Sequence, residues 1–540
     1  MILEDDKLKL VDKRFEMLKS DRANWEWHWE DIVELINPRK ANQWTKTRGE
    51  KRMDNVYDAG PIHANQMLAN AFHSRLTNPA VPWFALTTGD SSMDAEKPVA
   101  EYLQDVSRIL HDTLNQSNFQ SQVAEYYTDL TSLCTAVLLC EEDEDDEVRF
   151  KSSPIWDHYI QENHLGKVDT VFTEYEWDFR SIVQKFGKAP FEYKAEWMIQ
   201  FDQMAKGIST QKYKVVHAVF PRSDRDVTKL DVTNKPFASV YYLKEGLIPL
   251  KNSGFEENPY IVSRFSVTSG EFYGRGPGTM SLPDVRMLNV MMMTVIKYAQ
   301  KATDPPLLVP DDGYLQPKTF PGAVNTYRAG TDDRLQYLEP AGNHGVSIEM
   351  IDRVQRKIDQ AFYVDQLQLL EQSRMTATEV STRNDERMTL LAPVLARQHY
   401  EFLKPLIDRV FGVLERRGLL PPPPEILLKK DLGIEYSSQI ARAQKRSTVA
   451  NVQGFMNVIA PFMQVSPAAQ HIVDGDATVR YVAKQMDIPQ EILKSKEDVE
   501  EILEQQAQIM AEQQQAQMAQ QQAQAEGQQI QNRQMEAGSE

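Results

Sequence analysis

Three stretches of this 540-residue chain hold residue types that could do chemistry. The first is Gly274-Arg275-Gly276-Pro277-Gly278, glycine-rich and followed by an apolar helical pattern. Loops of that kind cradle phosphates with backbone amides at a helix start. Pro277 has no amide hydrogen to offer, and the spacing is not GxGxxG. A turn between sheet and helix is expected instead. The second is Glu141–Glu147, seven consecutive acids. A calcium loop alternates its ligands and turns on a glycine. This run does neither and reads as a solvated loop. The third is the pair Cys134 and Cys140 in TSLCTAVLLC, with no further cysteine and no histidine at ligand spacing. Reduced core thiols are expected. His28, set among Trp25, Trp27 and Trp29, reads as part of a packed amphipathic helix. The patterns GxxxxGK[ST], GxSxG and HExxH are absent. No catalytic residue, metal or cofactor is therefore expected.

The elements that must position these residues have ordinary globular proportions, 41% apolar and 26% charged. At this length two to four lobes are expected. The net charge of −18 argues against a surface that grips duplex nucleic acid, because phosphate neutralisation supplies most of that affinity. It leaves weak, sliding contact open. The N-terminus has no signal pattern, and Met287–Ile296 is too short to span a bilayer. Synthesis and use in a cytoplasm, without a membrane, are expected.

Helical spacing runs to about Asn37, again over His63–Leu76, and from near Pro98 with breaks to Leu139. From Val148 to about Arg264, short β-branched and aromatic runs between Gly, Asp, Asn and Pro predict an α+β lobe of antiparallel strands. A helix is expected there at Ser181–Phe186, with another at Glu192–Met204. A long helix follows, with Ser281 as N-cap, Pro283 and Asp284 in its first turn, and Pro305-Pro306 as its stop. Leu282, Val285, Leu288, Met292, Val295 and Ala299 make one apolar face, which Met287, Met291 and Met293 widen. So broad a face predicts neighbours on several sides. A turn-rich insert, Pro305–Gly345, precedes a second helix from Ser347 to about Leu367, with Ile348, Ile351, Val354, Ile358 and Phe362 on one side. After the polar break LLEQSRM, Thr376-Ala377-Thr378-Glu379 has capping-box spacing. Helical pattern then extends to about Arg417, and Pro393 and Pro405 require a kink. Leu432–Val499 reads as mostly helical, and the Gln/Ala-rich end as a marginal helix or a disordered tail.

The order YGRGPGTMSLPDVRMLN, proline-stopped helix, insert, second helix and RMTATEV…RNDERM resembles the portal (head-to-tail connector) proteins of podoviruses. KSDRANWEWHWEDIVELINP, TAVLLCEED and ENHLGKVDTVFTEYEW extend the similarity over about residues 1–490. The resemblance implies a mainly helical α+β subunit with wing, stem, clip and crown regions. It further implies a homo-oligomeric ring, usually of twelve, at one capsid vertex of the virion, assembled in the host bacterial cytoplasm. It assigns residues 1–280 and 376–431 to the wing, 281–303 and 347–366 to two stem helices, and 304–346 to the clip. A tunnel loop at 367–375, a crown at 432–499 and a tail at 500–540 complete the chain. Implied partners are the terminase motor, a tail adaptor, capsid and scaffolding proteins, and double-stranded DNA in transit.

On that reading Glu371, Gln372, Ser373 and Arg374 face DNA in the tunnel loop. Arg353, Arg356 and Lys357 are stem candidates for lining the channel, Lys318 and Arg328 for the clip interface, and Leu288, Met292 and Val295 for ring packing. A salt-bridge role for each cation stays open. The competing readings are a packaging-associated nuclease or hydrolase and an internal virion scaffold protein.

Overall fold

The structure, a computed structural model, describes residues 5–40, 53–90, 93–143, 147–191, 197–207, 211–226, 228–229, 231–308, 344–367, 391–427, 433–436, 439–465 and 474–486, with isolated positions at 318–337 and beyond 498. The chain divides into two compact units, residues 1–83 with 109–420, and residues 84–108 with 421–540.

The first unit opens with helix α1 (Asp5–Leu35), whose Leu8, Phe15, Leu18, Trp29 and Ile32 are fully or almost fully buried. Helix α2 (Gly60–Leu76) carries Pro61 in its first turn, where the missing amide costs nothing. Strand β1 (Phe84–Thr87) and the start of α3 (Lys97–Gln116) belong to the second unit. Helix α4 (Phe119–Ser132) ends just before Cys134, which turns the chain with φ of 62°.

There the expected helix to Leu139 does not continue. Thr135–Glu142 is strand β2, the centre of an antiparallel sheet ordered β3-β2-β9, with β3 at Val148–Ser153 and β9 at Tyr260–Arg264. Thr135 through Cys140 are all buried. A strand covered on both faces has no alternation, so periodicity alone cannot tell it from a buried helix.

The second sheet is an antiparallel meander of β4 (His158–Glu162), β5 (Val168–Asp178), β6 (Lys212–Pro221), β7 (Phe237–Leu243) and β8 (Ile248–Phe255). The expected α+β lobe is present, and alternation sorts its side chains. Phe172, Val216, Ala218, Val240 and Tyr242 pack under Phe15 and Leu18 of α1. Tyr213, Val215, Tyr241 and Leu243 face the other way, onto Phe179 and Ile182 of helix α5 (Phe179–Phe186) and Trp197 beside helix α6 (Met198–Ala205). The Asp178 carboxylate accepts from the Ser181 amide at 3.2 Å and caps α5.

Helix α7 spans Pro277–Thr303, so it starts one turn before the expected Ser281 cap. Ser281 lies inside the helix, its hydroxyl donating to the Pro277 carbonyl at 2.7 Å. Pro277 is itself suited to a first helical position. A short ladder pairs β10 (Leu307–Leu308) with β11 (Gln336–Tyr337) inside the insert. Helix α8 (His344–Ala361) ends earlier than the spacing predicts, because Tyr363 takes φ of 58° before the short helix α9 (Val364–Leu367). Phe362 and Val364 are buried on either side of that break. The expected kink near Pro405 is met by a π-helical turn, His399–Leu403, ahead of α10 (Lys404–Arg416), which places Pro405 in a first turn.

In the second unit β1 pairs antiparallel with β12 (Gly433–Tyr436), and helices α11 (Gln439–Val465) and α12 (Gly475–Gln485) follow. Residues 84–108 therefore cluster with the C-terminal lobe.

Candidate functional site

The glycine turn before α7 is filled by protein, not shaped for a ligand. A Cβ on Gly274 would lie 2.1 Å from the Cys134 carbonyl oxygen, and one on Gly278 1.9 Å from that of Ser132. A Cβ on Gly276 would stand 2.8 Å from the Phe265 ring. The Gly274 amide donates to Thr135 Oγ1 at 2.7 Å, and the Gly276 amide to Thr279 Oγ1 at 2.9 Å. These contacts weld the start of α7 to the end of α4 and to β2.

From that base α7 buries Leu282, Val285 and Leu288 within its own chain. Leu288, one of the ring-packing candidates, is 1% exposed in the single chain. Met292 and Val295 are half-buried. The outward side mixes exposed apolar residues, Met280 at 70%, Met287 at 39% and Val290 at 56%, with exposed Arg286, Thr294 and Lys297. Asn289 bonds to the Asn55 carbonyl and the Tyr57 amide, both at 2.8 Å, and Arg286 pairs with Asp31 of α1.

Helix α8 packs on α7. Ile351, Val354 and Ile358 are buried, whereas Ile348 of the same expected face is 50% exposed. Arg353, Arg356 and Lys357 are all exposed, with Glu349 and Asp352 among them. A mixed-sign helix surface of that kind leaves phosphates hydrated rather than bound. Lys318 is exposed too. Arg328, Glu371, Gln372, Ser373, Arg374 and the capping box Thr376–Glu379 lie outside the described residues.

The strongest electrostatics sit at an anchor that sequence reasoning missed. Arg264, at the end of β9, is 1% exposed and pairs with Glu162 of β4 and with Glu401 Oε1 at 2.8 Å. It also donates to the Gly166 carbonyl at 3.0 Å and the Phe272 carbonyl at 3.2 Å. Glu401 takes Arg397 as well, and buried Gln398 bridges the Ser263 hydroxyl and the Arg264 carbonyl at 2.8 and 3.0 Å. About two turns further, buried Arg409, and beyond it exposed Arg416, share Glu257 and Glu142. The acidic run is thus not all loop. Glu141 and Glu142 close β2, and Glu142 has arginine partners. The i,i+4 spacing of Arg397 and Glu401 was a visible signal, but nothing in the sequence marked Arg264 as buried.

Cys134 and Cys140 are free and buried, and burial pushes their thiols up to about 11 and about 12, far from reactive thiolates. His28 is half-buried, its ring 6.3 Å from that of Trp25, and burial with nearby Arg275 lowers its basicity. Among the described residues no three His, Cys, Asp or Glu side chains gather as a metal site, and no helix is long and apolar enough to cross a membrane.

Buried ion pairs thus lock helices to sheets, beside a long helix with exposed apolar side chains. Residues 8–493 match the family described as bacteriophage head to tail connecting protein, and the chain belongs to that family. It is 31% identical to the portal protein of Salmonella phage epsilon15 over 94% of this chain and 92% of that one. It is 29% identical to the probable portal protein of Bordetella phage BPP-1 over 93% and 92%. A chain of the neck of an empty GTA particle computed with C6 symmetry aligns over 78% of this chain and 94% of its own at 10% identity, with a TM-score of 0.31.

Proposed function

We propose that the chain is a portal subunit, which closes into a ring at one capsid vertex and passes double-stranded DNA into and out of the head. The observation that carries this reading beyond family membership is the outward face of α7. Met280, Met287 and Val290 are exposed on a helix whose other side is already buried in its own chain. A neighbouring copy would cover them, with half-buried Met292 and Val295 at the margin. In this reading α7 and α8 are the two stem helices, residues 304–346 the clip, 367–375 the tunnel loop and 432–499 the crown. The clip, with Lys318 and Arg328, meets the terminase motor and then the tail adaptor. Glu371, Gln372, Ser373 and Arg374 touch DNA from the tunnel loop. Capsid and scaffolding proteins meet the wing, and the subunit performs no catalysis.

The ring is tested by Met287→Asp with Val290→Asp. Both positions are exposed in the single chain, so folding should be spared, while each carboxylate buried between copies costs several kcal/mol. Circular dichroism should be unchanged, and negative-stain images should show monomers in place of rings. Rings at wild-type abundance would remove this face from the assembly.

The channel contact is tested by reversing Arg353, Arg356 and Lys357 to glutamate. Each exposed contact is worth about 1 kcal/mol or less, but ring symmetry repeats it. Rings should form normally and filled heads should hold less DNA. Wild-type DNA content would return these three cations to a solvent-facing role.

A further inference from the structure

One row of side chains crosses the five-stranded sheet with no part in the proposed channel. His158 pairs in register with Thr173, Thr173 with His217, His217 with Tyr241, and Tyr241 with Lys251. Residues opposite one another in an antiparallel ladder share a face, so the row forms one polar line on the side of the sheet away from Phe15. His158, Thr173 and His217 are at most 1% exposed. His158 Nδ1 lies 2.9 Å from Thr173 Oγ1, and its Nε2 has no partner. His217 uses both nitrogens, Nδ1 at 2.7 Å from Tyr260 Oη and Nε2 at 3.0 Å from Ser239 Oγ. Its ring stacks on Tyr241 with centroids 3.8 Å apart and planes 5° from parallel. Tyr260 belongs to β9 of the three-stranded sheet and also meets Tyr175 Oη at 3.1 Å. The row therefore ties one sheet to the other through hydrogen bonds between uncharged groups.

The charges facing the row are nearly all positive. Arg22 of α1 donates to the His158 carbonyl at 2.9 Å. Arg22 and Lys151 of β3 disfavour a cation on His158, and Lys185 of α5, His158 and Lys251 of β8 disfavour one on His217. The nearby carboxylates Glu141 of β2 and Asp157 act on Tyr175 instead, and Glu141 pairs with Lys185 at 3.7 Å. An added proton would find no anion and, at His158 Nε2, no acceptor.

We propose that this row is a proton-sensitive lock on the five-stranded sheet. While both imidazoles are neutral, it ties that sheet to Tyr260. On acidification the five-stranded sheet opens as a unit, taking up two protons, while β3-β2-β9 stays closed on α4 and α10.

The sign follows from burial. Desolvation, with Arg22 and Lys151, holds His158 down at about 3, and desolvation with Lys185 holds His217 well below the ordinary value. In the opened sheet both return to about 6.5. Stability from these groups is complete above that value and is lost as pH falls through it toward the folded values. At pH 5 the open population rises by about 30-fold for each imidazole released.

Native-state amide exchange of the full-length protein at pH 8 and pH 5, corrected for intrinsic rates, tests this. Protection of β5, β6 and β7 should fall by about 1,000-fold, about 30-fold for each of the two imidazoles, with β2 and α4 unchanged. His217→Gln should remove about 30-fold of that dependence. Three results would overturn the lock: unchanged protection in β6 and β7, an equal loss in β2 and α4, or a wild-type pH dependence in His217→Gln. If that variant fails to fold, the wild-type comparison between the two sheets decides alone.

Discussion

Replacing Arg264 with methionine is expected to destabilise the first unit by about 3–5 kcal/mol. The guanidinium is 1% exposed, and Glu401 and Glu162 around it are 8% and 17% exposed. Removing it takes the arginine from Glu162, leaves Glu401 with Arg397 alone, and deprives the Gly166 and Phe272 carbonyls of a donor. The π-turn that carries Glu401 would lose its hold on β9, so the loss should spread into α10. Urea unfolding followed by circular dichroism measures it. The triple change Arg264→Met, Glu162→Gln and Glu401→Gln should recover most of the stability, because the main penalty is the uncompensated charge, not the absent pair. A single variant within about 0.5 kcal/mol of wild type would mean that the cluster is solvated and is no anchor.

Gly278→Ala is the second change with a large expected effect. Its φ is ordinary for a helix start, so the effect is steric, not conformational. The new methyl would fall 1.9 Å from the Ser132 carbonyl oxygen and 2.8 Å from its carbon, and these are backbone atoms that cannot rotate away. Helix α7 would have to lift from the end of α4, at a cost of about 3 kcal/mol or more. Gly274→Ala should behave alike, since its methyl would meet the Cys134 carbonyl oxygen at 2.1 Å. Gly454→Ala, with open space around the site in a helix, should be neutral or slightly stabilising. Equal melting temperatures for the Gly278 and Gly454 variants would show that the turn is not a packing contact.

How far the fold could be read from sequence followed from how locally each element is specified. The meander was legible because its strands alternate and are bounded by turn residues. So was the body of α7, where the proline pair after Thr303 leaves no continuation. Its first turn was misplaced because Ser281 offers a better side-chain cap than Gly276, and only the tertiary neighbours Cys134 and Ser132 show why glycines stand there. Strand β2 was misread because burial on both faces erases the period of two. The end of α8 was overshot because a left-handed tyrosine carries no sequence mark; buried Phe362 and Val364 hold it in place.

For the candidate site the division is similar. The order of glycine turn, long helix, insert and returning helix was enough to indicate the head-to-tail connecting family, because that order is a property of the chain. Which residues face outward was not. Leu288, Met292 and Val295 looked equivalent on a helical wheel, yet α7 leans on its own chain so that Leu288 is buried, while Met287 and Val290 are left open. The buried arginines and the histidine row depend on contacts between residues more than a hundred positions apart, or on the register of strands that turns alone do not fix. Local propensity and periodicity act over a few residues and set the elements. Desolvation, charge pairing and steric fit act between elements, so the tertiary structure alone decided which side chains became anchor, lock and open face.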